Sequence, residues 1–107
     1  MSENGDKKKL YFTKLTSVKN DDYIHWIKSL KCIVTQSSAT DWMAIDPHHV
    51  NDKTGGSAKF NDYRAIPLRH DLHVELHNIG TKTFQKKYNV DFEVIIEALN
   101  RLYDKAY

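Results

Sequence analysis

The carboxy-terminal part of the chain has the clearest pattern of hydrophobic and polar positions. After Asp91, apolar side chains recur every three or four residues, which is typical of an amphipathic helix with one buried face. Asp91 stands where a helix cap is expected. The predicted apolar stripe, which we expect to pack in the core, consists of Phe92, Ile95, Ile96, Leu99, Leu102 and Tyr103.

Weaker periodic patterns predict three further helical segments. One begins near residues 20–22, one spans about 71–79 and ends at Gly80, and a short helical turn covers 83–88. The first of them is expected to bury Ile24, Ile27 and Leu30.

The middle of the chain indicates short extended segments and a loop. "CIVT", from Cys32, predicts a short strand that enters a turn at 36–38. "DWMAIDPHHV" predicts a second strand interrupted by Pro47. "NDKTGGSAKFND" has the composition of a loop, and "YRAIPL" is an apolar approach to the next helix.

Composition bounds the protein class without identifying a function. The 107 residues suit one domain, predicted over 10–107 after a flexible basic tail at 1–9. No apolar run is long enough to cross a bilayer, and the first residues lack the apolar core of a secretory signal. Cys32 is the single cysteine, so an internal disulfide is excluded and a cytoplasmic location is expected. The net charge of +2 permits a nucleic-acid partner without requiring one.

Six histidines carry the candidate chemistry. In "RHDLHVELHNIG", His73 and His77 are four residues apart on a predicted helix, so both rings can reach one metal ion. His48 or His49, in "DPHHV", could supply a third nitrogen. Adjacent residues of an extended segment point to opposite sides, so two jobs are expected for them, metal binding and proton transfer. Each motif taken alone also arises by chance.

In order, the motifs DPHH, GG, DY, PL and HxELHxxG resemble those of the HNH endonucleases of the ββα-metal superfamily. The resemblance is greatest to the Ref-like phage recombination nucleases, and it covers most of the chain, from about Trp26 to Leu99. It implies an α+β fold in which a small ββα-metal core carries additional flanking helices.

The resemblance also implies a role for each matching residue. His49 falls on the general base, and Asp62 on the middle position of the HNH triad, for which neighbouring Asn61 is the rival. The implied ligands of one divalent ion are His48, His73 and His77. All-histidine ligation leaves Mg, Mn, Ni, Co and Zn open as that ion.

The chain departs from the family at its structural zinc site. The four zinc positions of the relatives are here Cys32, Thr35, Arg69 and Leu72. Only the cysteine is a zinc ligand, so we expect no structural zinc. Cys32 is then expected to be a small buried hydrophobe, with neighbouring apolar side chains replacing the metal by packing.

The implied function is metal-dependent hydrolysis of DNA phosphodiester bonds in phage- or prophage-related recombination or DNA processing, with DNA as partner and a recombination protein as a further candidate. The alternative is a catalytically weak or inactive nucleic-acid- or protein-binding module on the same fold. No membrane partner is expected, and the oligomeric state is open. Expected phosphate contacts are Lys53, Lys59 and Arg64.

Four remaining polar residues receive other assignments. Asp46 is expected to shape the turn before Pro47. Glu75 is expected to lie on a different face of its helix from His73 and His77. The histidines outside the motif positions, expected to be bystanders, are His25 and His70.

Overall fold

Two antiparallel strands and four α-helices make up the computed structural model of the chain, which describes residues 18–51 and 61–106. The elements, in chain order, are α1 (Asp21–Lys28), β1 (Ile45–His49), a 3₁₀ turn (Asp62–Arg64), β2 (Ala65–Arg69), α2 (His70–Ile79), α3 (Thr81–Tyr88) and α4 (Phe92–Ala106). The α+β class is therefore confirmed. The predicted tail at 1–9 and the glycine loop, with Lys53 and Lys59, lie outside the described residues.

The sheet runs through two prolines that face each other. β1 pairs with β2 so that Pro47 lies opposite Pro67. The flanking hydrogen bonds, from Val50 N–H to the Arg64 carbonyl and from His70 N–H to the Ala44 carbonyl, make this a non-hydrogen-bonded pair. Neither proline therefore removes a bond from the ladder. The prediction that Pro47 interrupts the strand is wrong for this reason.

β2 leads into α2 without a loop. The segment predicted only as an apolar approach forms this strand, and the four residues Ala65–Leu68 are buried. α2 begins at His70, one residue before the predicted start, and ends at Gly80, whose φ of +91° is favoured by glycine. α3 begins at Thr81 and is a complete helix rather than a short turn. The chain order strand, strand, helix thus brings β1, β2 and α2 into one unit.

α1 and α4 pack around this unit as amphipathic helices. Asn20 caps α1 by accepting a hydrogen bond from the Tyr23 N–H, and Asp91 Oδ1 accepts from Glu93 and Val94 at the start of α4. In α1, Tyr23 and Ile27 are fully buried and Ile24 is only partly buried; Leu30, which follows the helix, is also only partly buried. In α4 the buried residues are Phe92, Ile96 and Leu99. Leu102, which was predicted to be buried, is 57% exposed.

The predicted strand at "CIVT" is wrong. Cys32 begins a tight turn, in which its N–H donates to the Ser37 carbonyl and its carbonyl accepts from the Gln36 N–H. Gln36 has a φ of +61°, which turns the chain back on itself. The segment is apolar because it packs on the core, not because it pairs as a strand. One bond, from Ile33 N–H to the Pro67 carbonyl, joins the turn to β2.

The four positions that correspond to zinc ligands in the HNH proteins have different surroundings here, and Thr35 is exposed, with its hydroxyl hydrogen-bonded to that of Ser37. Cys32 is fully buried in the core cluster, as expected, and Leu72 is buried there as well. The Arg69 guanidinium makes two hydrogen bonds to Asp71, at 2.7 and 2.9 Å. No helix among the described residues has the length and apolar character needed to cross a membrane.

Candidate functional site

Three imidazole rings meet where β1 crosses α2. His48 Nδ1 lies 3.1 Å from His73 Nε2, which in turn lies 3.2 Å from His77 Nε2. One ring nitrogen from each histidine falls within 4.8 Å of the other two. The helix spacing of four residues stacks His73 above His77, and the pairing of β1 with β2, which leads into α2, brings His48 to them.

The protonation state of His48 suits ligand binding. Burial, together with the positive charge that His73, His77 or His49 carries when protonated, lowers the pKa of His48 to about 4. His48 is therefore unprotonated at neutral pH and presents a nitrogen lone pair. Three convergent imidazole nitrogens are a donor set that divalent transition metals accept.

Asp46 lies behind the histidine cluster and fixes one of its rings. Asp46 Oδ2 lies 2.9 Å from His73 Nδ1 and 2.7 Å from His70 Nδ1. Burial acts to raise the pKa of this carboxyl, but the hydrogen bonds from His73 and His70 outweigh it and hold the pKa below its usual value. Because an ionised carboxylate only accepts, His73 carries its proton on Nδ1 and turns the lone pair of Nε2 toward the cluster.

Asp46 and His70 are the two site residues that the sequence assignments missed. Asp46 contacts the cluster and was expected only to shape a turn, and His70 was expected to be a bystander. The signal was available for Asp46: it precedes His48 by two residues in a strand, and such residues share a face. His70 carried no such signal, because its contact depends on where α2 begins. His25, the other expected bystander, is exposed on α1.

His49 is turned away from its neighbour and pairs with a buried carboxylate. His49 Nε2 lies 2.9 Å from Asp62 Oδ1, and the His49 side chain is 34% exposed. The other oxygen of Asp62, Oδ2, accepts the Asn20 N–H at 2.7 Å, which ties it to the start of α1. Asp62 is only 3% exposed, so its orientation is well fixed. The two adjacent histidines thus lie in two different chemical surroundings.

Of the two rivals for the middle position, Asp62 is the one that contacts His49. The Asn61 side-chain oxygen instead accepts the Tyr63 N–H at 2.9 Å and caps the 3₁₀ turn. A competent side chain stands at each position that the resemblance assigns to the site.

Arg64, one of the three predicted phosphate contacts, is occupied by hydrogen bonds within the protein. Its guanidinium pairs with both carboxylate oxygens of Glu93 and donates to the carbonyls of Val50 and Asn51. These four bonds use most of the five N–H groups of an arginine. Arg64 therefore joins the segment that follows β1 to α4, and its contact with DNA stays a prediction. Lys53 and Lys59 lie outside the described residues.

Glu75 lies between the two helical histidines in sequence and away from them in space. Its carboxylate accepts hydrogen bonds from Lys87 and from the Tyr88 hydroxyl, both on α3. These contacts draw the pKa of Glu75 below its usual value and join α2 to α3. Glu75 therefore has a structural role between two helices and does not belong to the histidine cluster.

Comparison with known proteins gives one family. The chain matches the family described as "Protein of unknown function (DUF968)" over residues 4–105, and it belongs to that family. No curated protein and no solved structure matches it.

Proposed function

We propose that this member of the DUF968 family is a metal-dependent DNA endonuclease of the HNH type. The observation that carries the proposal is the division of the histidines into two groups on one strand–strand–helix unit. His48 joins the ring cluster on α2, while His49, the next residue, pairs with Asp62. An arrangement that separates ligands from a proton acceptor is what hydrolysis of a phosphodiester requires.

The residues proposed to hold a divalent ion are His48, His73 and His77, because their nitrogens converge and His48 is unprotonated at neutral pH. Three protein ligands leave open positions, which is the catalytic rather than the structural pattern. When bound, the ion would stabilise the charge that develops on the phosphate and the leaving oxygen. The nitrogen donor set suits Zn, Ni, Co or Mn better than Mg alone.

His49 is the proposed general base. Its Nε2 is hydrogen-bonded to Asp62, which orients the imidazole, and the ring would take the proton of an attacking water. The water oxygen bonds to phosphorus, the bond from phosphorus to the 3′ oxygen breaks, and that oxygen leaves with a proton. The products carry 5′-phosphate and 3′-hydroxyl ends, as the resemblance implies.

Asp62 is the proposed positioning residue for His49. Its carboxylate holds the ring in one tautomer and stabilises the imidazolium that forms when the proton arrives. Asp62 also accepts the Asn20 N–H, so a shift of α1 would be transmitted to the base. Asp46 has the parallel role for His73, on the metal side.

The experiment that tests the proposal combines cleavage with metal binding. Purified protein is freed of metal and incubated with supercoiled plasmid and with single-stranded DNA, in the presence of Mg, Mn, Co, Ni or Zn. We expect cleavage by the wild type with at least one of these ions. His49→Ala should lose about 100-fold or more of the rate while binding the metal as tightly as the wild type, because it removes only the proton acceptor.

His25→Ala is the matched control, since His25 is exposed on α1 and outside both groups. It should cleave at the wild-type rate. Unchanged cleavage by His49→Ala would contradict the assignment of the base. A wild type that binds metal and cleaves no DNA with any ion would overturn the nuclease proposal in favour of a binding module.

A further inference from the structure

Trp42 is a large aromatic side chain that the fold does not bury. It is 91% exposed, the highest value among the exposed large hydrophobic residues of the described chain. The other tryptophan, Trp26, packs with Tyr23 and Tyr103 in an aromatic group between α1 and α4. Exposing an indole ring forgoes a large burial contribution, and it leaves the aromatic face available to a ligand.

The backbone around Trp42 is held in an ordered turn. The Thr40 hydroxyl accepts hydrogen bonds from the N–H groups of Trp42 and Met43, at 3.2 and 3.1 Å. The Thr40 N–H donates to the Met43 carbonyl at 2.9 Å, which closes the turn. The ring is therefore presented from a fixed backbone, and little ordering remains to be done on binding.

This turn adjoins the candidate site. Ala44, two residues after Trp42, accepts the N–H of His70 at the start of α2. Asp46, two residues further on, contacts His70 and His73. Two residues of chain span at most about 7 Å, so the turn lies beside the amino-terminal end of α2, the helix that carries His73 and His77. A nucleic-acid strand placed at the histidines would reach Trp42 within a few nucleotides.

We propose that Trp42 stacks on an unpaired nucleobase of the strand bound at the histidine site, so that the protein prefers single-stranded or locally opened DNA. The inference rests on the proposed function for the identity of the bound polymer. Every base has an apolar face, and stacking on an exposed aromatic ring needs no particular sequence. Within a duplex the base faces are already stacked on one another and unavailable to the ring.

The small and polar surroundings of Trp42 favour contact with a single base over contact with an apolar protein surface. The preceding residues in the chain, Ser38–Asp41, are exposed and small or polar. His70, across the hydrogen bond from Ala44, is also exposed. Protein-binding surfaces usually have a contiguous apolar patch, whereas a stacking platform can consist of one ring with a polar surround.

The test uses the intrinsic fluorescence of the tryptophans and the affinity for DNA, both measured without added metal so that nothing is cleaved. The probes are a short thymidine oligonucleotide and the same strand annealed to its complement. We expect the single strand to quench wild-type fluorescence and to leave Trp42→Phe, which keeps only Trp26, unquenched. Trp42→Leu should bind the single strand about 5- to 150-fold more weakly, as expected for one lost stack.

Trp42→Phe is the matched variant, because phenylalanine keeps an aromatic face and should retain most of the affinity. Binding of the duplex should be the same for all three proteins. Absence of quenching, absence of oligonucleotide binding, or equal affinity of Trp42→Leu and the wild type for the single strand would each overturn the inference. The last outcome would direct attention to a protein partner for Trp42.

The experiments distinguish a failure of the nuclease proposal from a failure of the stacking inference. DNA cleavage by the wild type together with unaltered binding and cleavage by Trp42→Leu would leave the nuclease proposal standing and remove the stacking inference. Quenching and weakened binding without cleavage under any ion would do the reverse.

Discussion

Asp46 connects the sheet to the chemistry of the histidine cluster through a single oxygen atom. Oδ2 contacts the Nδ1 atoms of both His70 and His73. The contact with His73 sets which nitrogen of that ring carries a lone pair, and a carboxylate partner also makes an imidazole a better ligand. Under the proposed function, Asp46 would therefore act on the ion through His73, without touching it.

Replacing Asp46 with asparagine should weaken metal binding by about 10- to 100-fold, the usual effect of losing a carboxylate partner of a ligating histidine. The neutral amide keeps the size of the side chain but accepts a weaker hydrogen bond from His73. Titration calorimetry of the metal-free protein measures this directly. His70→Ala is the control, and it should change the affinity much less because His70 does not belong to the cluster. Equal effects of the two variants would contradict this role for Asp46.

The separation of the two adjacent histidines could be predicted from sequence, because alternation along a strand depends on backbone geometry alone. The same rule could have placed Asp46 beside His48. The proline between them was instead taken as the mark of a turn, since its compatibility with the strand depends on which residue lies opposite. Non-local contacts carried no comparable signal: nothing near Arg64 in sequence indicates that Glu93, 29 residues later, lies against it.

α4 shows how a helical stripe can be mostly right and wrong at one end. Asp91 caps the helix, and Phe92, Ile96 and Leu99 are buried as predicted. Leu102 is exposed, whereas Tyr103, the next residue and the last of the stripe, packs with Tyr23 and Trp26. Periodicity gives the face of a helix, but the neighbouring elements decide which residues of that face are covered.

A matched pair of substitutions on α4 measures this difference. Leu99→Ala should lower the free energy of unfolding by about 2–4 kcal/mol, because Leu99 is 8% exposed and its removal leaves a cavity. Leu102→Ala removes the same atoms from a side chain that is 57% exposed, and it should cost less than about 0.5 kcal/mol. Urea unfolding of both variants beside the wild type gives the two values. Similar losses would show that Leu102 is covered in solution.

The helices were the predictable elements, and the short apolar segments were not. α1, α2 and α4 have caps or a terminal glycine as well as a periodic pattern, so local chemistry decides them. The "CIVT" segment is too short for periodicity to separate a strand from a packed turn. Its conformation depends on bonds to Ser37 and to Pro67 of β2, and the second of these is distant in sequence.

At the scale of the whole molecule, the histidine cluster and the His49–Asp62 pair are built from residues of several different elements. β1 supplies His48 and His49, α2 supplies His73 and His77, and the 3₁₀ turn supplies Asp62, which is tied to α1. The helices that flank the unit bury its outer surfaces. Cys32 and Leu72, at two of the positions that correspond to zinc ligands in the HNH proteins the sequence resembles, contribute to the core. The resemblance could indicate which residues belong to the site, but only the packing explains how the scaffold keeps them together.

The most direct test of the central claim is a titration of metal-free protein with the ion that supports cleavage, with the initial rate of plasmid cleavage as the readout. The three histidines form a single cluster, so the rate should rise in proportion to added metal and level off at one ion per chain. His77→Ala, at the same concentrations, should stay near the background rate because it removes one ligand of the proposed site. Cleavage by the metal-free protein, or a His77→Ala titration that matches the wild type, would contradict the claim.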